Sequence, residues 1–259
     1  MSQPVYIDIN CDMGESYGRW TLGHDEEVMP NITSANIACG FHGGDPHVIR
    51  KTVALALAHH VAIGAHPSLP DLMGFGRRVM DVTPAELKDY ICYQTGAVRE
   101  FCRAAGVELQ HVKTHGILYN MAETQEPIAQ AIGEAARESG ERLILMTLAS
   151  GKFDAHCRKI GARVASEGFA DRAYEVDGQL VSRKKAGALI TDPAKAAAQA
   201  VRMAAEGKVR TIDGVDIDIN VQTICCHGDT PGAERITRAV REGLDNAGIQ
   251  VKPLRDWLP

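Results

Sequence analysis

The sequence predicts an α/β fold of seven or so parallel strands, closed as a TIM-like barrel or left open as a doubly wound sheet, in one domain over residues 1–259. Three observations predict it. Short β-rich runs alternate with longer helical runs, the order of a parallel sheet with helical crossovers. No Ser/Gly-rich linker or change of composition divides a length that one barrel commonly fills. Neither a G-x-G-x-x-G turn after the first strand nor a G-x-x-x-x-G-K-S/T loop occurs, so no nucleotide signature favours the open form.

The strands are expected at Val5–Ile9, Ala35–Cys39, Val61–Ala65, Leu109–Val112, Leu143–Thr147, Arg163–Ser166 and Thr223–Cys226. The helices are expected at Pro46–His59, Pro84–Ala105, Glu126–Ser139, Gly151–Ile160, Pro193–Gly207 and Gly232–Asn246. Asp45-Pro46, Thr83-Pro84 and Asp192-Pro193 each join an N-cap residue to a proline at the first helical position. Gly106, Gly140 and Gly248 sit where helices should stop. Tyr174–Arg183 reads as a small hairpin turning at Asp177-Gly178.

Composition excludes several classes. With 45% hydrophobic and 24% charged residues the chain is not disordered. A net charge of −5 argues against a nucleic-acid partner, which calls for a basic patch. No run of 18 apolar residues predicts a membrane span, and Met1 to Asn10 lacks the basic start and apolar stretch of a signal peptide. Seven cysteines, with no C-x-x-C pair, lie mostly in apolar segments and read as reduced thiols of a cytoplasmic protein. Cys39 and Cys226 stand near strand ends, where a reactive role stays open.

The polar residues carry the functional signal. In the first strand Asp8, Asn10 and Asp12 share one face, although strands of such a series are usually apolar on both. Four strands then deliver a histidine at or just beyond their carboxyl ends: His42, His66, His115 and His227. Ligands bind at that end of parallel α/β sheets, so one shared site is expected there. Lys113 and His115 share a face, and a buried Lys113 would need Asp12 or Glu15 as partner. Gly43-Gly44 and Gly228 allow backbone N–H groups to approach an anion. Arg77, Arg78, Arg172 and Arg183 are either solvated or bind an anionic substrate. His24, His47, His59, His60 and His156 read as surface or helix-end residues.

The segments IDINCDMGESYGRW (7–20), SANIACGFHGGDP (34–46), IGAHPSLPDLMGFGRR (63–78), HVKTHGILYN (111–120), EGFADRAY (167–174), LVSRKKAGALI (180–190) and CCHGDTPGA (225–233) resemble the LamB/YcsF family, in order and over nearly the whole chain. Thr114, Ile117 and Ala186 depart from the usual family pattern. The resemblance implies a seven-stranded β/α barrel similar to polysaccharide deacetylases. It implies ATP-dependent opening of 5-oxo-L-proline to L-glutamate, with Mg²⁺ and with partner B and C subunits. Carried over by motif, the site residues are Asp8, Asn10, Asp12, Glu15, His42 with Asp45, His66, Lys113 with His115, and His227 with Asp229.

An unstrained lactam is a poor electrophile, and phosphorylation of its oxygen would activate it. The expected roles are Asp12 or Glu15 as general base, His115 or His227 with Asp229 as acid–base groups, and Lys113 as an electrostatic clamp. Asn10, His42, Asp45, His66, Arg172 and Arg183 are expected to bind substrate. Replacing Lys113 with Met is expected to abolish ring opening and spare the fold. Two other readings compete. Asp12, His42 and His66 would hold zinc in a metal-dependent deacetylase or amidase. Alternatively the chain binds lactam without catalysing its hydrolysis, as a non-catalytic subunit.

Overall fold

The computed structural model describes residues 5–140, 142–228 and 232–259. In chain order the elements are β1 (Tyr6–Met13), α1 (Asp25–Val28), β2 (Ser34–Ala38), α2 (Pro46–Ala58), β3 (Ala62–His66), α3 (Pro84–Ala104), β4 (Leu109–Val112), α4 (Ile117–Thr124), α5 (Glu126–Ser139), β5 (Ile144–Leu148), α6 (Lys152–Lys159), β6 (Val164–Phe169), α7 (Pro193–Glu206), β7 (Lys208–Arg210), β8 (Asp216–Asp218), β9 (Thr223–Cys225), α8 (Ala233–Asn246) and β10 (Gln250–Val251).

The sheet is closed. Parallel neighbours run β1-β2-β3-β4-β5-β6-β9, and β9 returns to β1 through Asp8↔Thr223, Ile9↔Ile224 and Asn10↔Cys225. The carbonyls of Val5 and Ile7 accept from Gln250 of β10 and from Lys252 just after it, and that of Ile9 accepts from Thr33, so β10 fits below β2 on the same edge of β1. Leu254 packs with Ile144, Met146 and Ala165 and closes the barrel floor. The apolar faces of the strands point outward against the helices: Ile7, Ile9 and Cys11 of β1 join Ala35 and Ile37 of β2 in the largest core cluster. No helix among the described residues is long and apolar enough to cross a membrane.

Local signals explain the helix starts. Asp45 accepts from the N–H groups of His47 and Val48, Thr83 and Glu86 form a reciprocal capping box, and Asp192 accepts from Ala194 and Lys195. Residues 174–183 form the expected hairpin, with an antiparallel bridge between Tyr174 and Leu180. The structure also differs from expectation. β1 runs to Met13 and so carries Asn10 and Asp12 within the strand. The short α1, α4, the β7–β8 hairpin and β10 are additions to the elements expected from sequence. α4 begins directly after His115-Gly116, where Gly116 adopts φ +59 and lies so close to Gly76 that a Cβ would meet its carbonyl oxygen at 2.5 Å.

Candidate functional site

The barrel interior is polar where most barrels of this kind are filled with branched apolar side chains. Asp8, Asn10 and Asp12 all point inward. Asn10 donates to Glu167 Oε1 at 2.9 Å and Thr223 Oγ1 at 2.8 Å. Asn36 donates to Asn10 Oδ1 and Asp12 Oδ1, both at 2.8 Å, and His111 bonds Asn36 Oδ1 at 2.7 Å. At the foot of the row, Asp8 accepts from Thr33, Ser34 and Thr223. Its burial outweighs these bonds and raises its carboxyl to about 6.

Lys113 stands at the centre of this layer, only 3% exposed. Its ammonium lies 2.9 Å from Glu167 Oε1 and 3.1 Å from Asp12 Oδ1. Tyr119 donates to the other Glu167 oxygen at 2.8 Å. Burial opposes the charge on Lys113, but Asp12 and Glu167 hold its pKa above the ordinary lysine range. Burial likewise opposes the charge on Asp12, yet His66 and Lys113 keep its carboxyl well below the ordinary range. Of the two partners expected for Lys113, the structure pairs it with Asp12.

Above this layer four residues, three of them histidines, gather. His66 ends β3, and His115 follows β4 by three residues. His66 Nδ1 lies 2.7 Å from the Lys113 carbonyl, and His115 Nε2 lies 2.9 Å from the Phe75 carbonyl. His66 Nε2 and His115 Nδ1 face one another at 3.0 Å. His42 stacks on His115 with centroids 3.7 Å apart and rings 4° from parallel. Glu15 Oε1 is 3.3 Å from His42 Nε2 and 3.4 Å from His115 Nδ1. Burial and the neighbouring imidazoles push His42 and His115 well below the ordinary histidine pKa, so both rings are neutral. One donor atom each from Glu15, His42, His66 and His115 lies within 4.8 Å of the others, a group that could hold a metal ion.

His227 stands across the pocket. Asp171 accepts from its Nδ1 at 2.9 Å and from its backbone N–H at 3.0 Å. His227 lines the pocket, and its Nε2 makes no hydrogen bond among the described residues. Burial works to raise the Asp171 carboxyl, but the attraction and hydrogen bonds of His227 bring it below its ordinary value. Phe169 stacks on the imidazole at 5.6 Å. Asp12, His66, His115, His227, Arg172 and Arg183 all line one cavity of about 560 Å³ at the carboxyl ends of the strands. Arg77 and Lys184 add further cations to its wall. Burial and the nearby Arg183 both disfavour charge on Arg172, whose Nε makes no hydrogen bond among the described residues.

Most of the expected site residues therefore converge. Two do not contribute as expected. Asp45 turns away and caps α2, also accepting from the Gly18 N–H at 2.7 Å. Asp229 lies outside the described residues. Glu167, Asp171, His111 and Tyr119 join the site without having been expected there. The EGFADRAY segment holds the signal for the first two, since its carboxylates frame the end of β6.

These features define a closed β/α barrel with a buried pocket of carboxylates and histidines at the carboxyl ends of its strands. Comparison with known proteins gives the class a family. The LamB/YcsF family profile matches residues 7–259. The chain is 51% identical over 252 residues to the A subunit of 5-oxoprolinase from Pyrococcus furiosus, covering 97% of this chain and 99% of that one. It is 51% identical over 246 residues to the corresponding A subunit of Bordetella pertussis 5-oxoprolinase, covering 95% and 98%. The crystal structure of a lactam utilization protein from Thermus thermophilus superposes with a TM-score of 0.92 at 46% identity, over 95% of this chain and 99% of that one. The chain belongs to the LamB/YcsF family.

Proposed function

We propose that the chain is the A subunit of a 5-oxoprolinase and that its mouth pocket opens 5-oxo-L-proline to L-glutamate at the expense of ATP. The reading rests on the names of relatives aligned over their full length and on one observation of the site. His227, held from behind by Asp171, lines the same cavity as Arg172 and Arg183, so an acid–base group faces a cationic wall suited to a carboxylate and a phosphate. A metal-dependent deacetylase would find its metal donors here too, but the relatives named for lactam chemistry favour ring opening.

The chemistry requires activation. Phosphoryl transfer from ATP, with Mg²⁺, to the lactam oxygen breaks the terminal phosphoanhydride bond, releases ADP and leaves a protonated imidoyl phosphate whose C5 is electrophilic. Water then adds to C5 while His227 Nε2 takes its proton. The C5–N bond breaks as the same proton passes to the ring nitrogen and the C5 hydroxyl gives up its own proton to the freed amine, which leaves a γ-acyl phosphate and an ammonium group. A second water releases phosphate and glutamate. Asp171 fixes the His227 tautomer and stabilises the imidazolium formed between the two proton transfers. Asp12 is held too acidic to be an efficient base, so its part is electrostatic. Lys113, neutralised by Asp12 and Glu167, orders those carboxylates, and the clamp on substrate anions falls to Arg77, Arg172 and Arg183. The B and C subunits are the partners in this reading.

The test is glutamate and ADP formation from 5-oxoproline and ATP by the purified chain reconstituted with candidate partners. His227→Asn should lower kcat by roughly 10² to 10⁴-fold while the melting temperature changes little. Unaltered turnover in that variant would remove His227 from the reaction. Absence of ring opening by the wild-type assembly would refute the function.

A further inference from the structure

The two carbonyls behind His66 and His115 settle where their ring protons lie. A backbone carbonyl only accepts, so the Lys113 carbonyl places the proton of His66 on Nδ1, and the Phe75 carbonyl places that of His115 on Nε2. The second nitrogen of each ring, His66 Nε2 and His115 Nδ1, is thereby turned toward the other ring, and the two stand 3.0 Å apart. Asp12 Oδ2, a third acceptor, approaches the same His66 nitrogen at 3.4 Å. His42, only 1% exposed, offers two further nitrogens that make no hydrogen bond among the described residues. Imidazoles pinned by carbonyls through one nitrogen, with the other nitrogen aimed at a common point, are arranged as metal ligands are.

From this geometry we infer that Glu15, His66 and His115, with His42 as fourth donor, form a divalent-cation centre of the zinc class. The spacing agrees. Tetrahedral ligands about 2.0–2.1 Å from a metal stand roughly 3.4 Å apart. Here Glu15 Oε1 is 3.4 Å from His115 Nδ1 and 3.3 Å from His42 Nε2, and His66 Nε2 is 3.0 Å from His115 Nδ1. Two or three imidazoles with one carboxylate suit zinc or cobalt better than magnesium or calcium, which prefer oxygen. His42 is the weakest of the four. Its ring lies parallel to that of His115, so its lone pair must tilt to converge. Asp12, expected from the sequence as a ligand, is instead engaged through Oδ1 by Asn36 and Lys113. Such an ion would act as a Lewis acid beside the lactam carbonyl or its bound water.

The inference goes beyond the proposed ring opening and is tested without it. The full-length chain, freed of metal by chelator dialysis, is titrated with Zn²⁺ and with Co²⁺ at neutral pH. The expected result is about one equivalent bound per chain and a visible Co²⁺ spectrum of tetrahedral type without a thiolate charge-transfer band. Glu15→Gln and His115→Ala should weaken binding at least tenfold, the lower bound set by loss of mere supporting groups. His42→Ala should weaken it less, and Asp12→Asn should retain it. Circular dichroism establishes that each variant is folded, and Glu15→Gln, the gentlest change, carries the test if His115→Ala is not. No stoichiometric binding would overturn the inference and leave a proton shared by His66 and His115 as the bridging charge. A thiolate band would overturn it in favour of cysteine ligands. Binding lost in Asp12→Asn but kept in Glu15→Gln would overturn the ligand set.

Discussion

Lys113 is bound on every side by groups that need its charge. Removing the ammonium leaves Asp12 and Glu167 as buried carboxylates facing each other across the space it filled. Loss of one partner from a buried ion pair costs about 3–5 kcal/mol. The expectation that Lys113→Met spares the fold therefore gives way to a different one. That variant should unfold at distinctly lower urea concentration than wild type, and adding Glu167→Gln should restore part of the loss. Equal midpoints for Lys113→Met and wild type would contradict the network drawn from Asn10 to Tyr119.

Asp8 gives a pH dependence of known sign. Its carboxyl titrates near 6 in the folded chain against 3.8 when free, because burial disfavours the charged form. The folded state therefore binds more protons than the unfolded state between those values. The contribution of Asp8 is complete below pH 3.8 and declines as pH rises through 6, by about 3 kcal/mol for a shift of two pH units. Asp8→Asn removes this term. The stability of Asp8→Asn relative to wild type should rise between pH 4 and 7, as followed by chemical denaturation at each pH. A constant difference across that range would mean that Asp8 is charged without penalty.

At the scale of elements, the loop between β2 and α2 is locked to the one between β1 and α1. Gly44 N–H donates to the Ser16 carbonyl at 2.9 Å, and a Cβ on Gly43 would stand 2.6 Å from the Glu15 carbonyl oxygen. Backbone must move to admit even a methyl group there. Gly43→Ala should separate His42 from Glu15, lowering metal affinity and turnover more than it lowers the melting temperature. Unimpaired Zn²⁺ binding by that variant would show that the two loops act independently. Which elements could be read from sequence follows from similar physics. β1 to β6, β9, and the long helices announce themselves through apolar runs, Asp-Pro or Thr-Pro starts and glycine ends. α4 hides because it follows a histidine motif and starts at a glycine in an unusual conformation rather than at a capping side chain. The β7–β8 hairpin has only three residues per strand, though Asp213-Gly214 between alternating apolar and charged residues marks its turn. β10 has two residues and depends wholly on its pairing with Tyr6 and Ile7.

For the whole molecule, closure of the sheet turns a linear pattern into a ring. Histidines placed after separate strands become neighbours because each strand ends at the same rim. That much was legible: His42, His66, His115 and His227 could be tied to one mouth from their positions alone. What could not be read was who bonds to whom across the barrel. Asn36 and His111 sit in strands of ordinary appearance, and their roles emerge only when β1, β2 and β4 face each other around the closed interior. Arg183 and Arg172 likewise come together only through the hairpin that follows β6.

The closed floor has a practical corollary. Arg163, just ahead of β6, holds the carbonyls of Leu258 and Pro259 beside the plug formed by Leu254. Pro259 thus lies on the pole opposite the pocket, next to the strands' beginnings. A tether or fluorescent label joined there would leave the pocket's mouth pointing away from a sensor surface, free to receive proteins or small molecules from solution.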